Sequence, residues 1–100
     1  MKQLLIVWHS RTGAARQMSQ ALERGARRIA AELDQSQDIH IERKAADTVT
    51  PNDVLNSDGY AFCAPENLAS LSGEMKAFFD RCYYPVLDRI SGRPYAVAIS

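Results

Sequence analysis

Residues 4–8, Leu-Leu-Ile-Val-Trp, are apolar without interruption. A short run with no polar position suits a strand covered on both faces, the situation of an inner strand in a parallel sheet. The run passes directly into His9-Ser10-Arg11-Thr12-Gly13-Ala14-Ala15-Arg16 and from there into a long helical pattern. A strand that turns sharply into a helix gathers backbone N–H groups and hydroxyls at the positive end of the helix dipole. That is a favourable place for a phosphate. From these residues alone, an ordinary turn capped by Ser10 reads equally well.

The remainder of the chain supplies strands and helices in alternation. From Ala14 onward, Met18, Ala21, Leu22, Gly25, Ala26, Ile29, Ala30 and Leu33 recur at helical spacing, which predicts an amphipathic helix ending near Leu33-Asp34 with this stripe buried. Ile39-His40-Ile41-Glu42-Arg43 alternates, as a half-exposed strand at a sheet edge does, and puts His40 on the solvated side. Thr50-Pro51-Asn52-Asp53 reads as a capping box with proline at the first helical position, opening a helix that Ser57-Asp58-Gly59 must cut short. Tyr60 to Ala64 is a second buried-type strand, followed by a polar loop from Pro65 to Gly73. A helix follows with Met75, Phe78, Phe79 and Cys82 on one side, bent or ended by Pro85, and Tyr95 to Ser100 is a fourth strand. The order β-α-β-(short α)-β-α-β predicts an α/β sandwich with a parallel sheet and right-handed crossovers.

The fourth strand is apolar at nearly every position and so expects cover on both faces and a neighbour on each side. With four strands, one edge is left open, a liability that proteins normally manage. The expectation is a domain at residues 1–100 that is incomplete at its C-terminal end, or a sheet completed by a partner.

Charge and composition exclude several classes. Twelve basic and twelve acidic residues cancel, which gives no support for a nucleic-acid or anionic-membrane partner. Arg24, Arg27 and Arg28 lie on the first helix with Glu23 and Glu32 nearby, the pattern of a solvated face. No stretch approaches the roughly 20 apolar residues of a membrane span, and the leading apolar run is too short for a signal peptide. The expected compartment is the cytoplasm. Cys63 and Cys82 fall on inward positions of a strand and a helix and read as small core residues, not as a disulfide or metal framework.

Two segments resemble the flavodoxin-like superfamily, the flavodoxins and FMN-dependent NAD(P)H oxidoreductases. The first is the strand of residues 4–8 with Ser10-Arg11-Thr12-Gly13, similar to the superfamily's strand followed by S-x-T-G. The second combines Ser57-Asp58-Gly59-Tyr60-Ala61-Phe62, Ala64-Pro65-Glu66-Asn67 and Leu71-Ser72-Gly73-Glu74-Met75-Lys76-Ala77-Phe78-Phe79-Asp80-Arg81. It is similar to the D-G-Y strand, the proline-containing flavin loop and the S-G-x-M-K-x-F-x-D-R helix start. Together they cover nearly the whole chain. They imply a flavodoxin-like three-layer sandwich with strand order 2-1-3-4, lacking a fifth strand, and a ligand at the carboxyl ends of the strands beside the switch point.

The resemblance further implies FMN as cofactor. Its phosphate would be held by Ser10, Arg11, Thr12, Gly13, Ala14 and Ala15, through hydroxyls and the N–H groups of Arg11, Gly13, Ala14 and Ala15. Arg11 or Arg16 could add charge. Its ring would lie beside Pro65, Glu66, Asn67 and Leu68. Ala14 and Ala15 stand where relatives often carry side-chain donors, so weaker retention of FMN is expected. Leu68 and Ala69 stand where relatives commonly have an aromatic residue and a glycine. Neither a nucleophile–base pair nor a metal cluster is evident; Asp80 and Arg81 read as helix-surface or packing residues. The function implied is an NAD(P)H-dependent oxidoreductase that reduces a quinone or similar small acceptor, with a homo-oligomer expected. An electron-transfer flavodoxin and a flavin-free interaction protein are the alternatives.

Overall fold

Leu5, Ile6 and Val7 have no solvent exposure at all, and the architecture follows from that enclosure. The computed structural model describes residues 2–11, 13–34, 37–65, 73–86, 89–90 and 92–99, with the side chains of 73–74 and 83–86 excepted. The strands are β1 (Lys2–Trp8), β2 (Ile39–Ala45), β3 (Gly59–Ala64) and β4 (Tyr95–Ile99). The helices are α1 (Ala14–Glu32), α2 (Pro51–Leu55) and α3 (Gly73–Val86), with a short 3₁₀ turn at Ala46–Thr48. The strands form one parallel sheet in the order β2-β1-β3-β4. This is the predicted α/β arrangement with the predicted strand order.

Because side chains alternate along a strand, β1 feeds two cores. Leu5 and Val7 join Tyr60 and Ala64 of β3, Val54 of α2, and Met75, Phe78 and Cys82 of α3. Ile6 joins Ile41, Ala61 and Cys63, with Leu4, Trp8, Ala26 and Ala98 packed around them on the α1 side. Cys63 is fully buried and Cys82 nearly so. Burial pushes both thiols up, for Cys82 against a smaller opposing pull from Arg81, which leaves them protonated core residues as expected.

Long-range arginine contacts close the loops. Arg81 Nη2 donates to the carbonyls of Ala46 at 2.7 Å and Val49 at 3.0 Å, tying α3 to the segment that enters α2. Arg93 Nη1 lies 2.9 Å from the Leu55 carbonyl, 2.7 Å from that of Ser57 and 3.0 Å from the Tyr60 hydroxyl. A cation at the carbonyl end of α2 also complements its dipole. The packing role read for Arg81 is thus confirmed as a specific clamp.

Two expectations need revision in detail. α1 turns Ala15, Ser19 and Ala30 fully inward, while Leu22, Ile29 and Leu33 stay exposed. The apolar stripe is wider than the sheet covers, and Ser19 takes an inner place because its hydroxyl is satisfied, donating to the Arg16 carbonyl at 2.7 Å. β4 pairs with β3 alone among the described residues, and Tyr95, Val97 and Ile99 are 73%, 50% and 54% exposed. Tyr95 and Val97 flank a groove of about 360 Å³ next to Phe62, Phe79 and Ile90.

The capping box of α2 forms as predicted: Asp53 N–H donates to Thr50 Oγ1 at 3.2 Å and Thr50 N–H to Asp53 Oδ2 at 2.9 Å. Lys44 Nζ lies 3.2 Å from the same carboxylate. Partial burial pushes Asp53 up, but the Thr50 bonds and Lys44 together outweigh it and hold its carboxyl below the usual aspartate range. A depressed carboxylate contributes stability above its unfolded pKa, lost as pH falls through the lower folded value. Asp53→Asn is therefore expected to cost about 1 kcal/mol near neutral pH. Urea midpoints measured from neutral pH down through the acid range in which carboxylates protonate should show the variant falling less steeply than the parent; parallel profiles would contradict the assignment.

Candidate functional site

The carboxyl ends of β1 and β3 lie side by side, and the pairing runs past β1: His9 N–H donates to the Cys63 carbonyl at 3.0 Å. From β1 the chain crosses to β2 on one side, while β3 lies on the other. The loops leaving β1 and β3 therefore diverge at the switch point, where a crevice opens in sheets of this type.

The turn after β1 is built around Gly13. It caps α1 in a left-handed conformation, with φ of 100°, and open space surrounds the position of a Cβ. Only glycine takes this conformation without strain. Ser10 Oγ accepts the Gly13 N–H at 2.9 Å, which leaves its own hydroxyl proton to donate elsewhere. The first helical bond runs from Gln17 N–H to the Gly13 carbonyl at 3.0 Å. The N–H groups of Ala14, Ala15 and Arg16 precede it, no side chain among the described residues is recorded capping them, and the first turn holds no acidic residue.

The site residues proposed from sequence fall into three groups. Ser10, Gly13, Ala14 and Ala15 come together at this turn, with Ala15 buried, Ala14 and Arg11 exposed, and Ser10 and Gly13 half-buried. Pro65 follows β3 directly, at the same edge of the sheet. Thr12, Glu66, Asn67 and Leu68 lie outside the described residues. One expectation is corrected: the Gly13 N–H is taken by Ser10, so the open donors shift one residue onward, to include Arg16.

Sequence reasoning missed the polar assembly behind Trp8. Arg43 Nε meets Glu23 Oε1 at 3.0 Å, Arg27 Nη2 meets Glu23 Oε2 at 2.8 Å, and Arg43 Nη1 reaches Ser19 Oγ at 3.3 Å. The Arg27 bond first, and Arg43 with it, hold the Glu23 carboxyl below its usual range against partial burial. Only the Glu23–Arg27 spacing of four residues was readable in advance. Among the described residues no cluster of three or more metal-ligating side chains occurs, and no helix is long and apolar enough to cross a membrane.

No family model matches the chain. Among curated proteins it is 30% identical over 93 residues to a flavodoxin of Aquifex aeolicus, covering 93% of this chain and 46% of that protein. It is 29% identical over 94 residues to an NAD(P)H dehydrogenase (quinone) of Acidithiobacillus ferrooxidans, covering 81% of this chain and 47% of that one. The chain thus spans about half the length of the curated relatives it matches. Among solved structures, a flavodoxin of Streptococcus pneumonia TIGR4 superposes with a TM-score of 0.66 at 20% identity, over 97% of this chain and 60% of the other. A doubly wound parallel sheet in the order 2-1-3-4, with these likenesses, defines a flavodoxin-like chain. Its fold is flavodoxin-like, and its sequence is similar to about half of each of these two curated relatives.

Gly13→Ala would place a side chain at φ of 100°. The expected cost is roughly 1–2 kcal/mol, read as a lowered urea midpoint with unchanged slope. An unaltered midpoint would mean that the turn relaxes to an unstrained conformation.

Proposed function

We propose that this chain forms the phosphate side of an FMN site in an oxidoreductase, one that accepts a hydride from NAD(P)H and passes electrons to a quinone or a similar small acceptor. The observation that carries the reading is the donor set at the start of α1. Three backbone N–H groups, the Ser10 hydroxyl and the positive end of a 19-residue helix converge at a first turn that carries no acidic residue. Such a set fits a phosphate monoester of charge about −2. Gly13 lets the oxygens approach the backbone closely, because no Cβ intrudes.

When bound, FMN would supply the electron-transfer chemistry itself. The chain's own residues bind and orient. The turn at Ser10–Arg16 fixes the phosphate, and Pro65, Glu66, Asn67 and Leu68 on the neighbouring loop would bound the ring. An electron carrier of the flavodoxin kind is the second reading, favoured by the flavodoxin name of the 30%-identical relative. The quinone-dehydrogenase name of the other relative and the neutral charge balance favour the enzyme.

Fluorescence-quenching titration of the full-length protein with FMN is the test. Saturable binding is expected, weakened about tenfold by Ser10→Ala through loss of one bond to a charged oxygen. No quenching at high micromolar FMN would remove both flavin readings. Stopped-flow reduction by NADH or NADPH within one turnover time marks the enzyme; a flavin left oxidised by both marks the carrier.

A further inference from the structure

Trp8 ends β1, immediately before the turn, and two guanidinium groups lie over its ring. Arg16 Cζ is 5.8 Å from the ring centroid and Arg43 Cζ is 5.7 Å. The two cations differ in what surrounds them. Arg43 is consumed by Glu23 at 3.0 Å and by the buried Ser19 hydroxyl at 3.3 Å. Among the described residues no carboxylate lies within ion-pair distance of Arg16. Among the described residues, one charge is neutralised in place and the other meets no acidic partner at the start of α1.

Position adds to this contrast. Arg16 is the third residue of α1, and helical side chains lean back towards the helix N-terminus. Its backbone N–H belongs to the open donor set, and its side chain is drawn back across the end of β1 by the indole of Trp8. An arginine in water spreads over many rotamers; one seated on an aromatic face has already lost much of that freedom and so loses less on engaging a ligand. Ala14 and Ala15 contribute no side-chain donor. A guanidinium supplies charge-assisted bonds in a planar fork that matches two phosphate oxygens.

We infer that Arg16, seated on Trp8, is the residue that makes this site select a dianionic phosphate monoester, so that the phosphorylated flavin is preferred over riboflavin. The inference rests on the FMN reading above and deepens it. Arg43 does not share the role: it serves as the fixed far side of the Trp8 assembly, joining β2 to α1 through Glu23 and Ser19.

The test compares the full-length parent protein with Arg16→Ala, Arg16→Lys and Arg24→Ala. The last removes an equal charge from an exposed position farther along α1. Dissociation constants for FMN and for riboflavin are measured at low and high salt, with thermal unfolding of each variant alongside. Arg16→Ala is expected to weaken FMN about tenfold, to leave riboflavin unchanged and to flatten the salt dependence of FMN binding. Arg16→Lys should recover part of the preference, and Arg24→Ala should match the parent. Equal losses for FMN and riboflavin in Arg16→Ala, or no loss for either, would overturn the inference while leaving the FMN reading intact. A parent protein that binds neither flavin would overturn both.

Discussion

The complete burial of Leu5, Ile6 and Val7 is the constraint on which the rest depends. Each contributes about 1.5–3 kcal/mol when fully enclosed, and enclosure of three successive residues is achieved only if both faces of β1 are covered. Parallel crossovers achieve that, with α1 on one face and α2 and α3 on the other. The same arrangement brings β2 and β3 to opposite sides of β1. The divergence of the loops at the carboxyl end of β1 is therefore a geometric consequence of packing its side chains. The candidate site stands at that point because the core is where it is.

Electrostatics then divide the arginines by task. Arg81 and Arg93 point their donors at backbone carbonyls around α2. Arg27 and Arg43 converge on Glu23 between α1 and β2. In each of these groups the guanidinium meets an acceptor, a backbone carbonyl for Arg81 and Arg93 and the shared Glu23 carboxylate for Arg27 and Arg43. Arg16 is placed differently: among the described residues its guanidinium lies over an aromatic face and meets no acid, beside helical N–H groups that have no intrahelical acceptor.

Periodicity carried most of the fold. The apolar runs at 4–8 and 60–64, the alternation at 39–43 and the capping box at Thr50–Asp53 all occur where their chemistry demanded them, because each depends on neighbours in the chain. The contacts that could not be read are those between distant segments. Arg81 to Ala46 spans 35 positions and Arg93 to Ser57 spans 36, with no local pattern to announce either. The buried face of α1 was misjudged at Leu22, Ile29 and Leu33 because periodicity reports which residues are apolar, not how wide a surface awaits them. At the candidate site, the strand-turn-helix arrangement around Ser10, Gly13, Ala14 and Ala15 was legible in the sequence. The Ser10–Gly13 bond that moves the open donors towards Arg16 required coordinates.

The central claim, that the start of α1 receives a phosphate, is tested most directly by following backbone amide resonances of the full-length protein as FMN is added. The account predicts large downfield shifts at Ala14, Ala15 and Arg16, which a matched titration with riboflavin does not reproduce. Shifts confined to other parts of the chain, or equal at these three amides for both flavins, would contradict it.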